Sequence, residues 1–169
     1  MKNCLWLLVL CCLATACSKA PANNTEPANE PPAINSVDVV KASPQQVTIA
    51  AGESGDAVVQ LQISNGYHVN ANPPTFSYLK PTELALTPAD GIAVEFISYP
   101  NALTKKFSFS EKPLAVYEGE TTLKARLKTE KTTKPGTHNL SAKLRVQACD
   151  DKVCYAPGTI DLVVPVSVK

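Results

Sequence analysis

The chain has 169 residues, with 16 Lys and Arg against 15 Asp and Glu. That near-neutral balance carries neither the basic footprint of a nucleic-acid binder nor a strongly acidic surface. Beyond the first 36 residues there is enough sequence for one domain with its own core, without metals or multiple disulfides, and only two of the six cysteines, Cys149 and Cys154, lie there.

The chain opens with the short basic start Met1-Lys2-Asn3, an apolar run from Leu5 to Leu13 and small residues up to Cys17, the layout of a secretory signal. The apolar run is too short for a transmembrane helix, which needs about 20 residues. Leu13-Ala14-Thr15-Ala16-Cys17-Ser18 resembles a bacterial lipobox, departing from it at Ala14, where leucine is preferred. The expectation is a signal peptide over 1–16 that carries away Cys4, Cys11 and Cys12, with Cys17 lipidated at the new N-terminus. An ordinary signal peptide, leaving Cys17 as a spare thiol, is the plainer alternative. Residues 17–36, rich in Pro, Asn, Ala and Glu and without aromatics, have too little apolar surface to offset ordering entropy and read as a flexible tether. The domain is then expected over 37–169.

Within it, period-two alternation of apolar and polar residues predicts half-buried strands at Ala57–Ile63, Leu123–Leu127, Leu140–Ala148 and Ile160–Val168. Shorter candidates are Val47–Ala50, Tyr67–Ala71, Leu84–Thr87 and Ala93–Ser98. They are separated by turn material such as Asn72-Pro73-Pro74, Asp90-Gly91 and Lys134-Pro135-Gly136. No window keeps a helical spacing, and seven to nine strands over such a length predict an all-β fold, an immunoglobulin-like antiparallel β-sandwich. Pro165 falls on the outward set of the last strand, which predicts an edge position or a bulge.

The segment Gln147-Ala148-Cys149-Asp150-Asp151-Lys152-Val153-Cys154-Tyr155-Ala156-Pro157 carries the chemistry. Cys149 ends one alternating strand and Cys154 stands just before the next, a spacing that makes a disulfide geometrically easy. So small a loop removes little entropy from the unfolded chain, on the order of 2 kcal/mol, so reactivity explains the pair better than stability does. An inert hairpin disulfide is the alternative. Zinc is disfavoured because no second Cys or His pair accompanies the thiols, the only histidines being His68 and His138. His68 could orient a thiol or be a packed strand residue, and His138 reads as a solvated turn residue. The carboxylates of Asp150 and Asp151 disfavour a thiolate at Cys149, whereas Cys154 lies near Lys152, so Cys154 is expected to form the intermolecular bond and Cys149 to resolve it. No cofactor is implied.

Three ordered stretches carry a resemblance. They are Gly66-Tyr67-His68-Val69-Asn70-Ala71-Asn72-Pro73-Pro74 with Tyr78-Leu79-Lys80-Pro81-Thr82-Glu83-Leu84, then Tyr99-Pro100 through Lys105-Lys106-Phe107-Ser108-Phe109 to Val116-Tyr117-Glu118-Gly119, and finally Cys154-Tyr155-Ala156-Pro157. In this combination the chain resembles the N-terminal domain family of the thiol:disulfide interchange protein DsbD, in its stand-alone disulfide-bond-corrector form. Ala156 departs from the proline more usual there. The resemblance implies a sandwich that accepts electrons at Cys149 and Cys154 from a thioredoxin-like domain or membrane electron carrier and passes them to oxidised envelope proteins, as in cytochrome c maturation. It also implies a cap loop at about Ala102 to Lys112 that covers the disulfide with an aromatic ring, Phe109 in preference to Phe107, with Tyr67, Tyr117 and Tyr155 lining the site. The family's membrane carrier and C-terminal thioredoxin-like domain have no counterpart in this sequence, so a separate membrane reductase is expected, near a membrane reached through the lipid anchor. A non-catalytic envelope binding or assembly domain, its disulfide only pinning a hairpin, is the alternative function.

Overall fold

A computed structural model describes residues 34–169; the signal segment, Cys17 and most of the tether lie outside the described residues. The described chain is all β, with twelve strands rather than the seven to nine expected. They are β1 (Val40–Pro44), β2 (Val47–Ile49), β3 (Ser54–Ile63), β4 (His68–Asn70), β5 (Glu83–Leu86), β6 (Ile92–Ser98), β7 (Leu103–Lys105), β8 (Leu114–Tyr117), β9 (Glu120–Thr129), β10 (Gly136–Val146), β11 (Ala148–Cys149) and β12 (Gly158–Val168). Three four-stranded sheets result, in the orders β1-β3-β9-β6, β2-β12-β10-β5 and β11-β4-β8-β7. Every pairing is antiparallel except β2 with β12.

The first two sheets form the body of the sandwich, and alternation decides what faces inward. Ala57, Val59, Leu61 and Ile63 of β3 and Leu123, Ala125 and Leu127 of β9 share one buried cluster with Leu140, Ala142, Leu144 and Val146 of β10 and Val164, Val166 and Val168 of β12. Each such Val or Leu contributes roughly 1.5–3 kcal/mol by leaving water, so slipping one of these strands by a single residue would expose its whole apolar set. The Asp90-Gly91 turn is a two-residue hairpin turn: both residues have positive φ, 54° and 73°, as a type I′ turn requires. A Cβ on Gly91 would also come within 2.7 Å of the Thr133 hydroxyl. Pro165 stands just before Val166–Val168, the only stretch of β12 that β2 pairs. Its missing N–H therefore falls where the ladder on that side has not begun.

The third sheet was the part least visible to alternation, because its strands are two to four residues long. On β8, Tyr117 joins the main core while Val116 joins a second cluster with Leu79, Phe107 and Leu114, against which Phe76 and Cys154 pack. All three residues of β4 are buried, since one face meets the main core and the other the second cluster and the cysteines. The strand expected to run on to Ala148 ends at Val146, and Cys149 belongs to β11 in the third sheet. The chain steps from one sheet to another at Gln147, and that step carries the cysteines out of the sandwich body.

Folding order begins before residue 37. Ser36 is fully buried; its hydroxyl donates to the Ala156 carbonyl at 2.5 Å and accepts from the Ala148 N–H at 2.9 Å. The last residues assigned to the tether from composition thus grip both legs of the cysteine hairpin.

Candidate functional site

Cys149 and Cys154 are joined by a disulfide, S–S 2.00 Å and Cα–Cα 3.9 Å, which closes its own small hairpin and does not directly bridge the two long strands. The Asp150 N–H donates to the Val153 carbonyl at 3.0 Å, and the Tyr155 N–H to the Ala148 carbonyl at 2.8 Å. Asp150 makes the turn: one carboxylate oxygen accepts from the N–H groups of Lys152 and Val153 at 2.7 and 2.8 Å, the local bonding pattern that makes aspartate a turn residue. Its other oxygen accepts from the Tyr155 hydroxyl at 2.7 Å.

Burial works against the Asp150 carboxylate, but these hydrogen bonds, Tyr155 first, outweigh it and hold its pKa below the ordinary value. The same bond, with the carboxylate beside it, pushes the Tyr155 hydroxyl up to about 12. A depressed carboxylate stabilises the fold above its unfolded pKa, about 3.9, and that contribution is lost as the pH falls through the lower folded value. Reduction by a water-soluble phosphine, active in acid, checks this. Asp150→Ala is expected to be reduced several-fold faster than the parent at pH 6, the ratio falling towards one below the folded pKa. A ratio that stays flat with pH would separate Asp150 from the hairpin's stability.

Cys149 is fully buried, while Cys154 is half-buried. Cys149 stands opposite His68 in the β11–β4 register, with Ala148 opposite Val69. The Asn70 side-chain oxygen lies 4.0 Å from the Cys149 sulfur, and the Asn70 amide donates to Gln147 Oε1 at 3.0 Å. Gln147 also accepts from the Lys80 N–H at 2.7 Å and donates to the Tyr155 carbonyl at 3.1 Å. This polar brace fixes the inner leg of the hairpin and leaves the Cys154 leg nearer the surface.

Over that leg lies the segment expected to act as a cap. Residues 103–105 form β7, and the following loop places its two phenylalanines differently. Phe107 is 2% exposed, in the second cluster, whereas Phe109 is 40% exposed, and their rings are 5.2 Å apart. The Ser108 hydroxyl donates to the Asp151 carbonyl at 2.8 Å, tying the loop to the hairpin. An apolar cavity is lined by Tyr78, Leu79, Phe109, Leu114, Val153 and Cys154, with the Phe76 ring stacked on Tyr78 at 5.2 Å.

None of the three tyrosines expected to line the site is among the residues lining the cavity at Cys154, although Tyr155 belongs to the cysteine hairpin itself. Tyr67 packs against Tyr155, centroids 6.2 Å apart, on the side of the hairpin that carries Asp150. Tyr117 is a core residue whose hydroxyl meets the Asn72 N–H at 3.1 Å, and burial raises its pKa above the ordinary value. The aromatic residues that line the cavity with Cys154 are Phe109 and Tyr78. Tyr78 and Leu79 stand in one of the stretches that carry the family resemblance, but no local signal separates them from loop residues. Nor does the sequence mark the roles of Asn70, Gln147 and Ser108, whose side chains find partners 40 or more positions away except for the Gln147–Tyr155 contact. His138 lies in β10 rather than in a turn, donating to the Lys134 carbonyl at 2.8 Å and facing Asp90 at 3.3 Å. Those two contacts, the carbonyl first, raise its pKa, and neither involves the cysteines.

No curated protein matches this chain. Among solved structures it is similar to the N-terminal domain of DsbD from Neisseria meningitidis in the reduced form. That match has 16% identity and a TM-score of 0.52, covering 79% of this chain and 90% of that one. It is also similar to the N-terminal periplasmic domain of ScsB from Proteus mirabilis, at 14% identity and a TM-score of 0.49, covering 76% of this chain and 45% of that one. The first likeness supports the immunoglobulin-like fold. The family model described as thiol:disulfide interchange protein DsbD, N-terminal, matches residues 36–164, a span that takes in the sandwich, the cap segment and the cysteine hairpin, and the chain belongs to that family.

Proposed function

We propose that this domain is a relay in the cell envelope, receiving two electrons at the Cys149–Cys154 disulfide from a thioredoxin-like domain or membrane electron carrier and delivering them to oxidised envelope proteins. The observation that carries the reading is the asymmetry of the pair: Cys149 is fully buried, and Cys154 sits half-buried at an apolar cavity beside Phe109. Exchange needs one sulfur that a partner thiolate can reach and one that resolves the mixed disulfide. Phe109 is the lid a partner displaces, and Phe107 is its buried footing. Cys154 forms the intermolecular bond. The charge argument for that order weakens, because the Asp150 carboxylate is engaged by the turn; the order rests on burial instead.

The domain is held to a membrane through lipidated Cys17 and a tether, after removal of residues 1–16. Ser36 and Val37 mark where that tether enters the fold. Val37 lies against Gly158, where an added Cβ would come within 2.6 Å of its side chain, so the tether joins beside the cysteine hairpin.

The reduction potential tests the relay. Structural disulfides lie below about −300 mV, and exchangeable ones above. Equilibrated against glutathione and a reduced thioredoxin-like protein, the Cys149–Cys154 bond is expected above that limit with rapid exchange. A value below it, without exchange, would leave a sandwich whose disulfide only pins a hairpin.

A further inference from the structure

His68 is buried, 2% exposed, and three observations place unusual chemistry on its ring. It stands directly opposite Cys149 in the ladder, so the two side chains rise from the same face of the sheet with Cβ atoms about 4.5–5.5 Å apart. Its Nε2 is 2.9 Å from the Glu118 carboxylate and 2.5 Å from the Lys105 ammonium. Its Nδ1 is buried and has no hydrogen-bond partner among the described residues. Buried polar nitrogens are rarely left so. The missing partner is explicable if it is a group the oxidised protein does not have: the S–H of Cys149.

The two neighbours of Nε2 demand opposite tautomers. An ammonium can only donate, so with Lys105 engaged Nε2 must accept and the ring proton sits on Nδ1. A carboxylate can only accept, so with Glu118 engaged Nε2–H donates and Nδ1 carries the lone pair. Lys105 is the last residue of β7, at the root of the cap, and its ammonium lies 5.8 Å from the Phe107 ring centroid. Phe107 in turn meets the His68 ring edge-on at 5.3 Å. Moving the cap removes the support that keeps Lys105 on the histidine.

We infer that His68 is the proton acceptor for Cys149, with Glu118 selecting the basic tautomer and Lys105 blocking it while the cap is closed. The inference rests on the exchange reading above. The Cys154 thiolate attacks a partner disulfide, forming the mixed disulfide and releasing one partner thiolate. The Cys149 S–H then passes its proton to Nδ1, and the resulting thiolate attacks the Cys154 sulfur. The Cys149–Cys154 bond forms, the bond to the partner breaks, and the second partner thiolate leaves. The imidazolium and solvent each supply one proton to the partner, which has gained two electrons. The titratable groups that face His68 are Lys105 from β7, Glu118 just after β8, Tyr67 and Asp151 in the same groove, and Cys149 from the hairpin. His68, Lys105, Glu118 and Asp151 line one groove, and Glu118, whose side chain is 46% exposed, links Nε2 to solvent for proton return. Glu118 and Lys105 are positioning residues.

One molar equivalent of Ellman's reagent separates the two steps in the fully reduced domain. The first equivalent of nitrothiobenzoate reports attack by Cys154 and serves as an internal reference; the second reports resolution by Cys149. His68→Gln is expected to slow the second phase about tenfold at pH 7, less than the roughly hundredfold or more that a positioned base ordinarily contributes, because a thiol is already partly ionised at that pH without one. Its rate profile should move towards an ordinary thiol pKa, about 8.5. Glu118→Gln, at a half-exposed position that tolerates replacement, slows the second phase less, and Lys105→Met speeds it. If His68→Gln does not fold, those two variants decide. Second-phase rates and pH profiles indistinguishable from the parent would overturn the inference while leaving the relay intact. A parent domain that releases no second equivalent and does not exchange with a thioredoxin-like protein would instead remove the relay reading itself.

Discussion

With Cys149 replaced by serine, the reduced domain is expected to capture a thioredoxin-like protein that keeps only its attacking cysteine, activated as the nitrothiobenzoate disulfide, as a stable mixed disulfide through Cys154 with release of nitrothiobenzoate, and multiple turnover with the intact partner falls to background. The reason is steric and chemical together. Cys154 reaches the cavity lined by Tyr78, Leu79, Phe109 and Val153, whereas Cys149 is fully enclosed, braced by Asn70 and backed by His68. Without Cys149 nothing inside the domain can attack the Cys154 sulfur, so the covalent complex persists until an external thiol arrives. The reciprocal Cys154→Ser variant leaves only the enclosed thiol and yields little complex. Non-reducing gels with mass spectrometry of the linked peptides read both outcomes. Capture through Cys149 alone would reverse the proposed order of attack.

The two cap phenylalanines are expected to differ just as sharply. Phe107→Ala empties a fully enclosed site among Leu79, Leu114 and Val116, and large-to-small changes of this kind cost about 3–5 kcal/mol. Urea unfolding should record a loss of that size. Phe109→Ala removes a ring that is 40% exposed; its stability cost should stay below about 1 kcal/mol, within the modest range for exposed sites. Its effect falls on access instead, so dithiothreitol should reduce the disulfide several-fold faster than in the parent. If Phe107→Ala opens the disulfide at no cost in stability and Phe109→Ala does neither, the lid and its footing have been assigned the wrong way round.

Under the proposed lid assignment, stability and gating occupy neighbouring positions. Phe107, Ser108 and Phe109 sit in one short loop: the first anchors it in the second cluster, the middle one bonds the hairpin backbone, and the last lines the cavity. A partner that lifts Phe109 therefore also strains the Ser108 bond to Asp151 and disturbs the ring on which Lys105 rests. If the lid and the His68 inference both hold, reaching Cys154 and releasing His68 are parts of one movement.

By itself the sequence determined the all-β class, the long strands and the disulfide-forming cysteine pair, because each rests on short-range rules. Period-two alternation specifies which face of β3, β9, β10 and β12 is buried, Asp90-Gly91 specifies a two-residue turn, and a four-residue gap between cysteines brings their sulfurs within bonding reach. Only the tertiary structure decided what surrounds the disulfide. Phe107 and Phe109 are two residues apart and indistinguishable by pattern, yet the second cluster encloses one and leaves the other half out. Ser36 belongs by composition to a polar tether, but it meets two backbone groups more than 100 positions away and is buried. The very short strands β4 and β11 have too few residues to show a period, so nothing local reveals that they pair and set His68 opposite Cys149. Local rules act through the few bonds linking neighbouring residues, whereas the partners of a reactive side chain are chosen by how distant segments pack, a choice made by the whole fold.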